Sequence, residues 1–317
     1  MSVVKALEHA SMRCGKKLEL QWVDSSNLEP EAETADPVKY HDAWRAVCSA
    51  KGIIVPGGFG HRGTEGMIAA VRWAREKKVP FLGICLGFQI AVVEWARNVC
   101  GFDGAHSAEL VPETPHPVIV FMPEISKTHL GGTMRLGLRP TLFESGTEKS
   151  KLRRLYGGEE TIWERHRHRY EVGPAYVEKL EQPGGMRFIG KDERGERMQV
   201  LELDGESLCS ILAPTIVALK PQASSCVSPA FTDHPYFVGL QAHPEFCTRP
   251  LNPSPPFLGL IAAACGMTEL ETQMARNAKE YRDPHPDESK VIPAREPASE
   301  LGQGKPQEVR DIKVDGQ

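Results

Sequence analysis

The chain has 317 residues, of which 40% are hydrophobic and 25% are charged, and its formal net charge is −4. This balance is typical of globular proteins, and the slight negative charge argues against a nucleic-acid partner. No apolar run reaches the ~18 residues of a membrane span, and the N-terminal MSVVKALEHA lacks the apolar core of a signal peptide. The eight cysteines form no C-x-x-C pair, which favours a reducing, cytoplasmic setting.

Short apolar strands alternate with helical stretches, the pattern of an α/β fold with a mostly parallel sheet flanked by helices. In the first third of the chain, the patterns predict a helix over 3–13, a strand over Leu18–Val23, a helix over Pro37–Cys48, a strand over Gly52–Val55, a helix over Thr64–Glu76, a strand over Val79–Ile84 and a helix over Leu86–Arg97. The rest of the chain is predicted to be mainly strands, over Pro117–Phe121, Gly131–Leu138, Glu171–Val177, Arg187–Ile189, Met198–Leu203 and Tyr236–Gln241. A terminal helix is predicted to begin over 257–264.

The C-terminal segment 282–317 is rich in Pro, Glu, Lys, Asp and Gln and poor in apolar residues. It cannot bury enough surface to offset the entropy lost on ordering, so we predict a disordered tail. A solvated tail is favoured over a regulatory one. One domain is then expected to occupy residues 1–275.

Cys85 lies at a predicted strand-to-helix junction, within FLGICLGFQ (Phe81 to Gln89). A G-x-C-x-G at such a junction is the cysteine form of the nucleophile elbow, whose glycines permit a sharp turn. The N-terminus of the following helix favours a thiolate over a thiol. The pattern therefore predicts that Cys85 is a nucleophile, although taken alone it also fits a small buried hydrophobic residue.

The segment YFVGLQAHPEF (Tyr236 to Phe246) predicts a strand that ends in His243, Pro244 and Glu245. Residues two apart on a strand share a face, so the imidazole and the carboxylate would sit together. Glu245 would then orient His243, and His243 would activate the cysteine, as a base and its orienting acid do in a triad. Taken alone, H-P-E also fits a solvated strand end.

Three segments, FLGICLGFQ, PGGFG (Pro56 to Gly60) and HPEF (His243 to Phe246), together resemble the class-I (triad) glutamine amidotransferases. Two longer segments, HLGGTMRLG (His129 to Gly137) and ERHRHRYEV (Glu164 to Val172), resemble the glutaminase domain of the CTP synthase family. These two longer segments are the more specific signal, because the elbow and H-P-E are common to all the triad amidotransferases.

The resemblance covers most of residues 2–203 and 233–270, and it implies a flavodoxin-like fold. It also implies that glutamine is hydrolysed through a thioester on Cys85, without a cofactor in this chain. The tetrahedral intermediate needs oxyanion donors already in place. The backbone N–H groups of Leu86, at the elbow, and of Gly58, in the glycine turn, would supply them.

A glutamine substrate also presents an α-carboxylate and an α-ammonium group, which suit an arginine fork and a carboxylate. By resemblance, Arg169 binds the α-carboxylate and Glu109 helps to hold the amino-acid end. Gln89 and Phe59 also fall on glutamine-contacting positions of the family. Without the resemblance, Glu109 and Arg169 would be ordinary surface charges.

Three departures from the family are expected. Nothing resembles its preceding synthase domain, and no G-x-x-x-x-G-K-[ST] loop is found, so ATP and Mg²⁺ are expected only for that domain. The strand that normally precedes SVVKALEH is expected to be missing. Residues Asp204 to Thr232 form an apolar insert that does not fit the family and suggests an alternative transcript.

Two alternatives remain open. One is an inactive module that binds full-length CTP synthase subunits, which the insert favours and the intact triad disfavours. The other is a stand-alone glutaminase or γ-glutamyl hydrolase, against which HLGGTMRLG and RHRHRYEV argue. His166 and His168 alternate and would share a face, but no third ligand at a characteristic spacing accompanies them, so no metal site is predicted.

Overall fold

The structure is a computed structural model that describes residues 2–122, 134–203, 234–250 and 252–267. Its helices are α1 (Ser2–Arg13), α2 (Pro30–Ala35), α3 (Pro37–Ser49), α4 (Thr64–Glu76), α5 (Leu86–Asn98), α6 (Lys151–Leu155), α7 (Pro174–Glu181) and α8 (Pro255–Ala264), with 3-10 turns at Ser25–Leu28 and Pro244–Phe246. The insert, the C-terminal tail and His129 lie outside the described residues.

The described strands are β1 (Ile53–Val55), β2 (Phe81–Ile84), β3 (His106–Ser107), β4 (Pro117–Phe121), β5 (Arg135–Phe143), β6 (Thr161–His168), β7 (Tyr170–Val172), β8 (Met186–Lys191), β9 (Met198–Leu203) and β10 (Phe237–Leu240). Seven of them form one sheet in the order β1-β2-β10-β9-β8-β5-β6, and β3, β4 and β7 form a small second sheet. The predicted α/β fold, with a sheet flanked by helices, is confirmed.

The main sheet is mixed. Strand β2 runs parallel to both of its neighbours, β1 and β10, whereas the pairs from β10 outward to β6 are antiparallel. The carboxyl ends of parallel strands meet at the same edge of a sheet, where binding sites of α/β proteins form. The parallel part therefore brings the residues that follow β1, β2 and β10 to one place.

Side chains alternate across β2 and β10 and so separate two hydrophobic clusters. Phe81 and Phe237, whose ring centroids lie 4.5 Å apart, face α5 on one side of the sheet. Leu82 and Val238 face α1 and α8 on the other side. Helix α5 is buried at every position from Leu86 to Ala96, because it lies between the main sheet and the small sheet.

Two of the predicted strands are corrected by the structure. Leu18–Val23 is not a strand: the segment pairs with none of the described strands, and a strand needs a hydrogen-bonding neighbour. The strand predicted over Glu171–Val177 ends at Val172, because Pro174 begins α7 as its first residue. Helices α2, α6 and α7 and strands β3 and β6 are absent from the predictions. None of the described helices has the length and apolar character needed to cross a membrane.

A buried ion pair joins α4 to α5. The Arg75 guanidinium donates from Nη2 to Glu94 Oε1 at 2.7 Å and from Nε to Oε2 at 2.9 Å. The Glu94 side chain is fully buried, and Asn98 Nδ2 donates to it at 3.1 Å. Such a pair adds little net stability over apolar residues, but removing one partner is strongly destabilising.

Glu94→Ala is therefore expected to lower the free energy of unfolding by about 3–5 kcal/mol, measured by urea denaturation. The control is Asp42→Ala, which breaks the exposed pair between Asp42 and Arg45 (2.9 Å). An exposed pair of this kind contributes less than about 1 kcal/mol. Equal losses in the two variants would contradict the importance of burial for the α4–α5 pair.

Candidate active site

Cys85 occupies a sharp turn between β2 and α5. Its backbone has φ 51° and ψ −97°, and it is one of two non-glycine residues with positive φ among the described residues. Such a conformation costs about 1–3 kcal/mol and persists only where the surroundings enforce it. The Cys85 N–H donates to Leu240 O at 2.7 Å, which ties the turn to β10. The strained strand-to-helix turn predicted from the sequence is present.

Gly87, two residues after Cys85, has to be a glycine because the backbone of α5 approaches the backbone of β1 closely at this point. A Cβ added to Gly87 would lie 2.0 Å from Val55 O, at the carboxyl end of β1. Any side chain at this position would push α5 away from the sheet. The second glycine of the G-x-C-x-G pattern therefore lets the helix start directly against β1, which keeps Cys85 at the sheet edge.

His243 and Glu245 follow β10 at the same edge. His243 Nδ1 lies 2.9 Å from Glu245 Oε1, and the His243 N–H donates to Arg165 O on β6 at 2.7 Å. The contact predicted for these two side chains forms, but its origin differs from the prediction. The strand ends at Leu240, and the 3-10 turn Pro244–Phe246 folds Glu245 back towards the ring.

Gly57, in the turn after β1, packs against the side chains of both Cys85 and His243. A Cβ added there would lie 2.8 Å from His243 Cε1 and 3.3 Å from Cys85 Cβ. The imidazole and the cysteine therefore flank the same glycine. Because Nδ1 of His243 is engaged by Glu245, Nε2 is the ring nitrogen that remains for Cys85.

The charge state of His243 follows from its two partners. Burial alone would lower its pKa, but the hydrogen bonds to Cys85 and Glu245 outweigh burial and raise the pKa to about 10. The ring is therefore an imidazolium at neutral pH, held between a carboxylate and the sulfur. A neighbouring imidazolium stabilises a cysteine thiolate, which is the nucleophilic form.

Gln89 and Gln241 form a buried amide network beside Cys85. Gln241 Nε2 lies 3.6 Å from Cys85 Sγ, and Gln89 Nε2 donates to Gln241 Oε1 at 3.1 Å and to Tyr170 O at 3.0 Å. Both amide hydrogens of Gln89 are thus committed to the protein, which leaves Oε1 for a substrate. Sequence reasoning missed Gln241; its signal is a polar residue at the end of a fully buried strand.

The two residues expected to supply the oxyanion donors, Leu86 and Gly58, pack against each other. Leu86 is the first residue of α5, where backbone N–H groups have no acceptor within the helix. A Cβ added to Gly58 would lie 3.4 Å from Leu86 Cδ2, so the glycine turn faces the start of the helix. Phe59 is 63% exposed, and the Arg167 guanidinium carbon lies 5.5 Å from its ring centroid, at the rim of the site.

Glu109 and Arg169 come together from separate elements. Burial raises the pKa of the half-buried Glu109, whereas the charges of Arg169 and His61 lower it, so the two expected amino-acid ligands interact. Arg169 lies between β6 and β7, and its buried Nε has no hydrogen-bond partner among the described residues. A donor without a partner at such a position is available to an acceptor on a ligand.

A cleft of about 280 Å³ opens onto His243 from the side of the β5–β6 hairpin, lined by Leu136, Gly137, Arg165, His166, Arg167, His243 and Phe246. His166 and His168 share a buried face of β6, as predicted, with ring centroids 5.3 Å apart. Burial lowers the pKa of His168 to about 3 and that of His166 as well, so both are neutral. Over the described ranges, no group of three or more His, Cys, Asp or Glu is placed to hold a metal ion.

Comparison with known proteins identifies related chains. Residues 1–211 match the family model described as glutamine amidotransferase class-I. CTP synthase of Schizosaccharomyces pombe is 55% identical over 269 residues, which are 85% of this chain and 40% of that protein. CTP synthase of Neurospora crassa is 56% identical over 273 residues, which are 86% of this chain and 42% of that protein.

A solved structure is also similar. The glutaminase domain of Trypanosoma brucei CTPS, with bound acivicin, superposes with a TM-score of 0.66 and 31% identity, covering 84% of this chain and 87% of that one. The present chain therefore corresponds to nearly all of a glutaminase domain. It spans about two fifths of the length of the curated relatives that it matches.

His243→Gln is expected to slow alkylation of Cys85 by iodoacetamide about tenfold or more at pH 6.5, because the variant lacks the imidazolium that stabilises the thiolate. The rate of Cys85 alkylation in the His243→Gln variant should rise only at alkaline pH. Mass spectrometry of the Cys85 peptide measures the rate, and the exposed Cys48 is an internal reference in the same molecule. Equal rates at pH 6.5 in the variant and the unmodified chain would exclude an activating imidazolium.

Proposed function

The chain belongs to the class-I glutamine amidotransferase family, and we propose that its site hydrolyses the side-chain amide of glutamine to glutamate and ammonia. The observation that carries this proposal is that Cys85 and His243 flank Gly57, while Glu245 contacts the far ring nitrogen of His243. A nucleophile, a base and an orienting carboxylate in this arrangement are the parts of a covalent acyl-transfer mechanism. In this proposal Cys85, His243 and Glu245 are the catalytic residues.

The first half of the proposed reaction forms a thioester. The Cys85 thiolate attacks the side-chain amide carbon, and the carbonyl oxygen becomes an oxyanion that accepts hydrogen bonds from the N–H groups of Leu86 and Gly58. The His243 imidazolium gives its proton to the amide nitrogen as the C–N bond breaks. Ammonia leaves, and the γ-glutamyl group remains on the sulfur with His243 neutral.

The second half returns the enzyme to its starting state. Neutral His243 removes a proton from water, and the resulting hydroxide attacks the thioester carbon. The same two N–H groups stabilise the second oxyanion. The C–S bond then breaks, which releases glutamate and restores the thiolate and the imidazolium. Glu245 orients the ring throughout by its hydrogen bond to Nδ1.

The amino-acid end of glutamine is proposed to bind between Arg169 and Glu109. The Nε of Arg169, which has no hydrogen-bond partner among the residues that the structure describes, suits the α-carboxylate, and Glu109 suits the α-ammonium group. Gln89 Oε1 and Phe59, at the rim, would complete the contacts. This arrangement holds the substrate at its charged end, while the reacting amide reaches Cys85.

The relatives suggest where the ammonia goes. The matched curated proteins are CTP synthases of which this chain spans about two fifths. We propose that the ammonia serves the ATP-dependent conversion of UTP to CTP in the cytoplasm, and that full-length CTP synthase subunits are its partners. The chemistry proposed for this chain uses only its own residues and water. ATP and Mg²⁺ would bind the synthase part of those relatives.

Acivicin, which is bound to the similar T. brucei domain, provides the first test. The purified chain is expected to gain the mass of one adduct, which excess glutamine prevents. Cys85→Ala is expected to gain none, while Cys48→Ala, the matched control at an exposed thiol, should still be labelled. An intact chain that forms no adduct would contradict the proposed function and favour an inactive binding module.

Arg169→Met is expected to lower kcat/KM for glutamine about 100-fold, mainly through KM, because a charge-assisted contact with the α-carboxylate is lost. Release of glutamate measures the rate. The control is Arg154→Met, which removes an exposed arginine from α6 and should leave both constants close to those of the unmodified chain. A loss confined to kcat would argue against a substrate contact at Arg169.

A further inference from the structure

Gln241 is a buried polar residue that directly follows β10. Its side chain is 0% exposed. Its backbone N–H donates to Gln199 O at 2.9 Å, which continues the antiparallel ladder between β10 and β9 by one residue beyond Leu240. A buried amide side chain costs free energy unless its polar atoms are hydrogen-bonded. The proposed mechanism assigns Gln241 no part, although its side chain reaches the nucleophile.

A chain of hydrogen bonds fixes which end of the Gln241 amide faces the sulfur. The Tyr170 carbonyl oxygen is an acceptor, so the Gln89 atom that contacts it at 3.0 Å is the amide nitrogen. The same nitrogen contacts the Gln241 amide at 3.1 Å, so the Gln241 atom at this contact is the oxygen. The Gln241 nitrogen is then the atom that lies 3.6 Å from Cys85 Sγ, where it is a donor.

The Cys85 sulfur is therefore contacted by two side-chain donors. One is the amide N–H of Gln241, and the other is the imidazolium of His243. A thiol hydrogen, in contrast, has a more distant acceptor, the Arg167 carbonyl oxygen, which lies 3.9 Å from Sγ. Hydrogen bonds to the charged form of a titratable group favour that form. The contacts around the sulfur thus favour a thiolate over a thiol.

We propose that Gln241 is a further catalytic residue of the glutaminase reaction: its amide N–H, oriented by Gln89, stabilises the Cys85 thiolate together with the imidazolium, and so extends the reactive form of the cysteine to lower pH. The proposal rests on the proposed function, which it deepens. Gln241 transfers no proton. Its hydrogen bond weakens when the sulfur becomes a neutral thioester, and it strengthens again when the C–S bond breaks and the thiolate returns.

Other charged and titratable groups lie on the elements around the sulfur: His61 after β1, Glu94 in α5, Glu109 after β3, His166, Arg167 and His168 on β6, Arg169 after it, and His243 and Glu245 after β10. Burial lowers the pKa of both β6 histidines, which are neutral. Burial alone would also lower the pKa of His243, but its hydrogen bonds to Cys85 and Glu245 raise it to about 10. These groups stay the same when Gln241 is replaced, so a difference between the two pH profiles reports the lost N–H.

The test measures alkylation of Cys85 by iodoacetamide in the full chain from pH 4 to 9. Gln241→Met keeps the length of the side chain and removes the donor, so the pH of half-maximal rate is expected to rise by about one unit. The limiting rate at high pH is expected to rise about two- to threefold, because a less stabilised thiolate is a stronger nucleophile. The variant is therefore slower than the unmodified chain in acid and faster in alkali. A general distortion of the site would slow alkylation at every pH.

Gln199→Met is the matched control. Gln199 lies opposite Gln241 on β9, is 1% exposed, and has no hydrogen-bond partner for either amide atom within the part of the chain that the structure describes. This variant also replaces a buried amide in the same sheet, but it removes no contact with the sulfur. Its alkylation profile should match that of the unmodified chain.

Release of glutamate over the same pH range provides the second readout. The acid limb of kcat/KM in Gln241→Met should move to higher pH together with the alkylation profile. Alkylation profiles that coincide in Gln241→Met and the unmodified chain overturn the inference, as does an equal shift in Gln199→Met. If the alkylation profiles cross as expected but the unmodified chain releases no glutamate, the proposed function fails while the contact of Gln241 with the thiolate stands.

An NMR measurement on the unmodified chain covers the case in which Gln241→Met does not fold. The side-chain amide hydrogens of Gln241 should shift over the same pH range in which Cys85 becomes reactive, and they should not shift in Cys85→Ala. Gln241 amide signals that remain constant while Cys85 becomes reactive would overturn the inference.

Discussion

The parallel ladder between β2 and β10 is the constraint on which the candidate site depends. Its register sets Ile84 opposite Leu240, and the Cys85 N–H extends it by one further bond to the Leu240 carbonyl. The chain leaves both strands at the same edge, so the cysteine and the segment that carries His243 begin their turns side by side. A shift of this ladder by one residue would reverse the faces of the strand residues and separate the cysteine from the imidazole.

The strained backbone at Cys85 is held by packing on every side. Helix α5 starts immediately after it and is buried along almost its entire length, against both the main sheet and the small sheet. Because a close-packed interior resists local relaxation, the turn cannot unwind without moving the helix from its place. The hydrophobic core thus stabilises a backbone conformation at Cys85 that would not persist in an isolated peptide. As a result, the sulfur lies beside the N–H groups of the first turn of α5, which have no acceptor within the helix.

Sequence patterns predicted those helices and strands whose local residue pattern matches the burial that the folded protein gives them. The strand before Cys85 and the helix after it were predictable because an apolar run, two glycines and a helical period coincide there. The strand expected over Leu18–Val23 failed because its pattern says nothing about whether a neighbour is present. Strand β6 escaped prediction because its inward residues include Glu164, His166 and His168, so no apolar alternation marks it. The proximity of His243 and Glu245 was anticipated, but through a strand rather than the 3-10 turn that produces it.

The absence of a side chain at Gly57 couples two positions that are distant in the chain. The volume that a methyl group would need there is already occupied by the Cε1 atom of His243 and the Cβ atom of Cys85. A side chain at residue 57 and the ring of His243 would therefore occupy the same volume, so the two cannot both be present in this arrangement. Proteins of this fold that carry a larger residue at the corresponding position must have displaced the imidazole or replaced it. The residue at position 57 is thus a criterion for distinguishing proteins of this fold that can hold the imidazole next to the cysteine from those that share only the fold.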